Sequence, residues 1–188
     1  VPTTRILLAR HGETEWNRLG RWQGHADPPL NALGRRQAQM LAEQLAGDSV
    51  AAVYSSDLGR ARQTAEIVAE RLALAVTERP GLREIDVGSW SGLTKEEVRE
   101  RFPDGFALWL AGEVGHDGET REELATRAVA AVESIARDHV GQTVLVVTHG
   151  GVIRALRRHA GGDPGDVVEN GTTFALALVE GALVVHDA

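Results

Sequence analysis

The sequence predicts an α/β fold: a three-layer αβα sandwich with a mostly parallel central sheet, helices on both faces and an antiparallel edge strand. Three observations predict it. Short apolar runs rich in β-branched residues alternate with amphipathic stretches of helical length. Two of those runs end alike: Arg5-Ile6-Leu7-Leu8-Ala9 leads into Arg10-His11-Gly12, and Thr143-Val144-Leu145-Val146-Val147 leads into Thr148-His149-Gly150. The last two runs bracket Glu180-Gly181, a hairpin signal.

The elements follow in order. A first strand is expected over 4–9, with a breaker immediately after it. A helix over 32–46 opens after Asn31, a good N-cap, and ends at Gly47. A strand over 50–55 precedes a helix over 59–73, which carries Ala61, Ala65, Val68, Ala69 and Leu72 at helical spacing. The helix over 121–138 follows Thr120, with Glu123 completing a capping box. A strand over 143–148, a helix over 151–160 stopped by Gly161-Gly162, and strands near 173–179 and 182–186 complete the set. Residues 93–118 fit the alternation poorly. With Pro103 and several glycines, they read as an insertion over the active-site edge. There is no repeat, low-complexity tract or linker, so 1–188 is expected to form one domain.

A chain of 188 residues can bury roughly 70% of its unfolded surface without staples. Zero cysteines exclude disulfides, thiolate catalysis and zinc–thiolate sites. The net charge of −7 argues against a nucleic-acid partner. The N-terminal apolar run, Ile6 to Ala9, is too short for a signal peptide or a membrane span. The expectation is a soluble, cytoplasmic protein with no membrane partner. Asn170-Gly171-Thr172 is better read as a turn than as a glycosylation site. An acidic protein that takes an anion must offer it a local cationic pocket. Arg10 beside His11 suggests one, since ligands of open parallel sheets bind at the carboxyl ends of the strands.

Several familiar motifs are absent: there is no P-loop, no dinucleotide fingerprint and no H-E-x-x-H. Gly88-Ser89-Trp90-Ser91-Gly92 only approaches a nucleophile elbow, because tryptophan holds the nucleophile's place. Arg10-His11-Gly12 alone is weak, but the run Leu8-Ala9-Arg10-His11-Gly12-Glu13-Thr14-Glu15-Trp16-Asn17 is far more specific. It is followed by Trp22-Gln23-Gly24, by Asp27-Pro28-Pro29-Leu30-Asn31-Ala32-Leu33-Gly34, and by Tyr54-Ser55-Ser56-Asp57-Leu58-Gly59-Arg60-Ala61-Arg62-Gln63-Thr64-Ala65. Leu82-Arg83-Glu84-Ile85-Asp86-Val87-Gly88 and Val147-Thr148-His149-Gly150-Gly151 complete the series.

In this order, these motifs resemble the histidine phosphatase superfamily, in the branch that holds cofactor-dependent phosphoglycerate mutases and small broad phosphatases. The resemblance covers nearly the whole chain and thins between 93 and 118 and after about 160. It implies that His11 is the nucleophile that becomes phosphorylated. Arg10 and Arg60 would hold phosphoryl oxygens, with His149 completing the pocket. Asn17 and Gln23 would donate hydrogen bonds, Gly24 and Gly150 would join the phosphate-binding set, and Glu84 would be the general acid. It further implies a small phosphorylated metabolite as partner, with no metal and no other cofactor; a homodimer stays open.

The chemistry supports these roles separately. Phosphoryl transfer needs positioning and neutralisation of the equatorial oxygens, and planar guanidinium forks suit both. A nucleophilic imidazole must be neutral, and flanking positive charge keeps it so. The leaving alkoxide needs a proton, so a carboxyl group beside it can act first as acid and later activate water. Some positions compete. Arg62 lies about 200° round the helix from Arg60, which fits the family's R-A-x-x-T pattern. Asp86 competes with Glu84, which fits the Leu-Arg-Glu placement. Glu119 serves either to orient an arginine or to favour a helix start. Trp16, Trp22 and Trp90 pack loops or touch substrate, and His25, His116, His139, His159 and His186 default to the surface.

A phosphatase is favoured over a phosphoglycerate mutase. The chain is short, it lacks the H-Y-G continuation after Glu84, and segment 102–118 holds no lysine or arginine to receive a second phosphate. A metal-dependent hydrolase using His11, His149 and Glu84 as ligands would place Arg10 against a cation. A catalytically dead binding module would usually have lost one of these groups.

Overall fold

Alternating side chains on the first strand, β1 (Thr4–Arg10), decide the layering. The structure, a computed structural model, describes residues 3–163, 165 and 167–186, so the outermost residues of the expected 1–188 span lie outside the described set. Ile6 and Leu8 enter one apolar cluster, and Leu7 and Ala9 enter another on the opposite face. A strand buried on both faces reads as a continuous apolar run, which is what this stretch shows.

The chain continues through a short helix α1 (Glu15–Arg18), α2 (Ala32–Leu45), β2 (Val50–Ser55), α3 (Gly59–Leu72) and β3 (Val76–Glu78). It then forms α4 (Lys95–Arg101), α5 (Pro103–Leu110), α6 (Arg121–Asp138), β4 (Thr143–Thr148), α7 (Gly150–His159), β5 (Thr173–Val179) and β6 (Ala182–Val185). The sheet order is β3-β2-β4-β1-β5-β6. The first four of these strands run parallel, while β5 and β6 are antiparallel to their neighbours. Helices α2 and α3 cover the face of Leu7 and Ala9, through Leu41, Leu45, Ala65 and Val68. Helices α6 and α7 cover the other, through Leu124, Val132, Ile153 and Leu156. The mixed α/β sandwich with an antiparallel edge is therefore the fold.

The expected caps on α2 and α6 are present: Asn31 Oδ1 accepts from Gly34 N at 2.8 Å, and Thr120 with Glu123 forms a capping box. Helix α2, however, closes at Ala46 in a right-handed conformation, so Gly47 does not end it as a left-handed cap. The final turn places Glu180 at φ 51° and Gly181 at φ 85°, the pair of positive angles that a two-residue hairpin needs.

Three features depart from the sequence pattern. Strand β3 is only three residues long at the sheet edge, too short to leave an alternation. Thr14 caps α1 through a box with Asn17. Residues 95–110 are helical rather than irregular, and Thr94 with Glu97 forms the capping box that starts α4. These two helices gather a small third cluster of Val87, Trp90, Val98 and Phe106.

Candidate active site

Two imidazoles meet because two parallel strands stop together. Arg10 on β1 pairs in register with Thr148 on β4, so the next residues, His11 and His149, sit side by side with ring centroids 5.2 Å apart. The third strand end, β2, delivers Ser56, whose N–H donates to Val147 O at 3.0 Å. His11, His149 and Ser56 are all essentially shielded from solvent.

The orientation of His11 is fixed by backbone. Its Nδ1–H donates to Gly12 O at 2.7 Å, which leaves the lone pair on Nε2. The Arg60 Nε–H points at that Nε2, 3.3 Å away. Gly12 is required here, since a Cβ at this position would lie 2.3 Å from Gly34 O on α2. Burial first, then the charges of Arg60 and Arg10, push the His11 pKa well below 6.5, so the ring is neutral. His149 shifts the same way for the same leading reason, with Arg60, His11 and Arg10 adding to it. Its Nε2 lies 2.9 Å from Ser56 Oγ, while its Nδ1 is buried without a partner among the described residues.

Arg60 lies in the first turn of α3 and is buried, in contact with carbonyls rather than water. Its guanidinium donates to Ala26 O at 2.7 Å and Gly24 O at 2.8 Å, with the Asp27 carboxylate 3.7 Å away. Burial lowers its pKa to about 10, which leaves it cationic at neutral pH. Arg10 donates to Val168 O, and its Nε is buried without a partner among the described residues. Arg62 instead lies on the outer side of α3 near Glu66 and Glu78, which removes it from the competition.

A cavity of about 190 Å³ is lined by Arg10, His11, Asn17, Gln23, Gly24, Arg60 and Glu84, with Arg154 among its remaining walls. Seven of the nine residues expected at the site thus share one wall. His149 and Gly150 lie behind it; a Cβ on Gly150 would be 3.6 Å from Arg10 Nε. Asn17 Oδ1 accepts from Thr14 N at 3.1 Å and Gln23 Oε1 accepts from the Thr14 hydroxyl at 2.8 Å, so their NH₂ groups are the ones left to donate.

Glu84 faces the start of α7. Its carboxylate accepts from Gly151 N at 3.1 Å and Ile85 N at 2.9 Å. Only glycine permits that approach, because a Cβ at Gly151 would stand 2.2 Å from Glu84 Oε1. Asp86 does not compete: its Oδ1 accepts from Gly88 N in a local turn, and it does not line this cavity. Glu119 orients an arginine. It grips Arg127 through two bonds of 2.6 and 2.7 Å, and Arg127 in turn donates to the carbonyls of Gly81, Arg83 and Glu84.

Three residues escaped the sequence reading. Arg154 sits one turn beyond Gly150 on α7, and the motif's end at Gly151 hid it. Asn170, read only as part of a turn, donates to His11 O at 2.8 Å. His25 is exposed, as expected, and what escaped is its contact: Nε2 lies 2.9 Å from Glu84 O. Two more histidines expected at the surface also have partners: His116 packs against Trp90, and His139 Nε2 lies 2.9 Å from the Tyr54 hydroxyl. Among the described residues, no group of three or more His, Asp or Glu side chains could hold a metal ion, and no helix is long and apolar enough to cross a membrane.

A model of the histidine phosphatase superfamily (branch 1) matches residues 6–177. A metal-independent phosphoserine phosphatase of Arabidopsis thaliana is 43% identical over 159 residues, covering 81% of this chain and 67% of its own. Phosphoserine phosphatase 1 of Hydrogenobacter thermophilus is 38% identical over 157 residues, covering 81% of this chain and 74% of its own. Among solved structures, the YhfR protein of Bacillus stearothermophilus aligns with a TM-score of 0.89 at 34% identity, over 97% of this chain and 95% of that one.

Proposed function

The chain belongs to the histidine phosphatase superfamily, branch 1, and on that premise we propose that His11, Glu84 and the guanidiniums of Arg10 and Arg60 divide the labour of phosphomonoester hydrolysis. The enzyme is a phosphatase that acts on small phosphorylated metabolites through a phosphohistidine. One observation carries the assignment of roles. A buried, neutral imidazole, its Nε2 lone pair met by the Arg60 Nε–H, lines a cavity walled by two guanidiniums.

The phosphoryl group enters with its oxygens toward Arg10, Arg60 and the amide NH₂ groups of Asn17 and Gln23. The His11 Nε2 lone pair attacks phosphorus as the ester P–O bond breaks, and Glu84 gives its proton to the departing oxygen. The Glu84 carboxylate then takes a proton from water, whose oxygen attacks phosphorus and releases inorganic phosphate with free His11. His149, neutral beside His11, offers a buried Nδ1 to the same charge. The positive charge that a metal ion would bring is supplied here by arginines.

The test is phosphate release from a panel of monoesters in a strong chelator, with O-phosphoserine leading because relatives carry that name. Turnover should survive chelation and vanish in His11→Ala. Turnover retained by His11→Ala overturns the assignment of the nucleophile. Isomerisation of 3-phosphoglycerate outpacing phosphate release, with 2,3-bisphosphoglycerate present, would move the chain to the mutases.

A further inference from the structure

A second cavity, of about 180 Å³, adjoins the phosphate cavity and shares Trp22, Ile85 and Arg154 with it as walls. Its size suits a small leaving group rather than a polymer. Segment 102–118 contributes Trp109, Glu113 and His116 to its wall, and that segment has no lysine or arginine. The segment thus offers a second phosphate no cation of its own, as expected, and the cations of this space come from helices instead. Arg121 on α6 and Arg154 and Arg158 on α7 line the space.

Arg154 is the informative one. It stands between the two cavities, half-buried, and makes no hydrogen bond or ion pair with any described residue. Arg158 lies one turn further on the same helix face and is equally unpaired among the described residues. Two like charges at this spacing repel each other, and Arg154 also faces the charge of Arg10. A half-buried guanidinium beside other guanidiniums, with no ion-pair partner among the described residues, is free to take an anionic ligand.

We propose that Arg154 reads a carboxylate on the leaving group, so that the preferred substrates are phosphate monoesters of small hydroxy acids. This rests on the phosphatase reading above. A planar fork placed between the cradle and the leaving-group space can face a carboxylate side-on while its charge also favours the phosphoryl group. A monoanion fits better than a second phosphate. Arg121 already donates to Gly112 O at 2.6 Å, and the Glu113 carboxylate lies on the same wall.

The test uses matched esters that differ in the carboxylate: 3-phosphoglycerate against glycerol 3-phosphate, and O-phosphoserine against O-phosphoethanolamine. The wild-type enzyme should prefer the acid of each pair by about 10- to 100-fold in kcat/KM, the value of a charge-assisted pair. Arg154→Gln should bring each ratio to within about threefold of unity, mainly through KM, and Arg154→Lys should recover part of it. Arg158→Gln should lower the ratio less, and Arg154→Ala decides the matter if Arg154→Gln does not fold: an unchanged ratio in it then overturns the proposal. A wild-type ratio near one overturns it, and so does an Arg154→Gln loss that is equal for both members of a pair. In either case, wild-type turnover of p-nitrophenyl phosphate leaves the phosphatase reading standing. An enzyme inert to every ester, p-nitrophenyl phosphate included, sinks that reading as well.

Discussion

The phosphate-facing half of the cleft grows from the ends of three parallel strands, whereas the neighbouring half is assembled from short helices and arginines on α6 and α7. In the first half, sheet register alone brings His11, His149 and Ser56 together, and each is buried to within 2% of full shielding. In the second, helices of seven and eight residues pack around Trp90 and Phe106, and the charged walls stay partly open to solvent. Chemistry that depends on placement sits where the core fixes the backbone. Recognition of the variable part of a ligand sits where side chains can change without touching the sheet.

That contrast can be broken most severely at Arg60. Arg60→Met should cost roughly 10³- to 10⁵-fold in kcat/KM for every ester, because it removes charge from the transferring phosphoryl group. Steady-state kinetics on p-nitrophenyl phosphate and O-phosphoserine will check it; a loss confined to one of them would place Arg60 with the leaving group instead. Glu84 lies at the boundary between the halves. Glu84→Gln should slow the pre-steady-state burst by about 10²- to 10⁴-fold for alkoxide leaving groups and much less for p-nitrophenolate, which needs little protonation. Equal slowing of both would reassign Glu84 to positioning. Glu119 acts on Glu84 only through Arg127 and the backbone. Glu119→Gln should therefore show the same leaving-group dependence at about a tenth of the wild-type rate; loss of thermal stability without that dependence would leave the clamp a purely structural role.

The strand-end half was largely legible in the sequence because each of its parts has a local signature. A buried parallel strand is a continuous apolar run, and the breaker that follows it announces the edge where His11 and His149 emerge. The second half was hidden for physical reasons. Thr94-x-x-Glu97 is a capping box, but Pro103 and the glycines that follow it mask helices this short. Arg154, Arg121 and Arg158 come from two helices far apart in sequence, so no spacing announces that they share a cavity. Strand β3 is three residues long and pairs on one side only, which leaves no period to detect.

Burial holds His11 and His149 neutral in the folded protein, with pKa values well below 6.5, whereas the unfolded chain protonates them near 6.5. Below that pH the unfolded state binds more protons, so stability falls as pH falls, by up to about 1.4 kcal/mol per pH unit for each imidazole. Urea midpoints between pH 7.5 and 5.5 should show this slope, and His149→Asn should make it shallower. An unchanged slope would mean that the ring is not held neutral. Arg62→Ala, on the solvent side of the helix that carries Arg60, should stay within about twofold of wild-type turnover; a tenfold loss would return it to the site.

A covalent phosphohistidine on His11 can be trapped by rapid acid-free quenching after mixing with an excess of phosphorus-labelled O-phosphoserine or p-nitrophenyl phosphate. The wild-type protein should carry base-stable, acid-labile phosphate at a burst level that approaches one per chain and maps to the peptide containing His11, while His11→Ala carries none. Wild-type turnover with no trapped phosphate during a resolved burst, or acid-stable label that persists in His11→Ala, would contradict it.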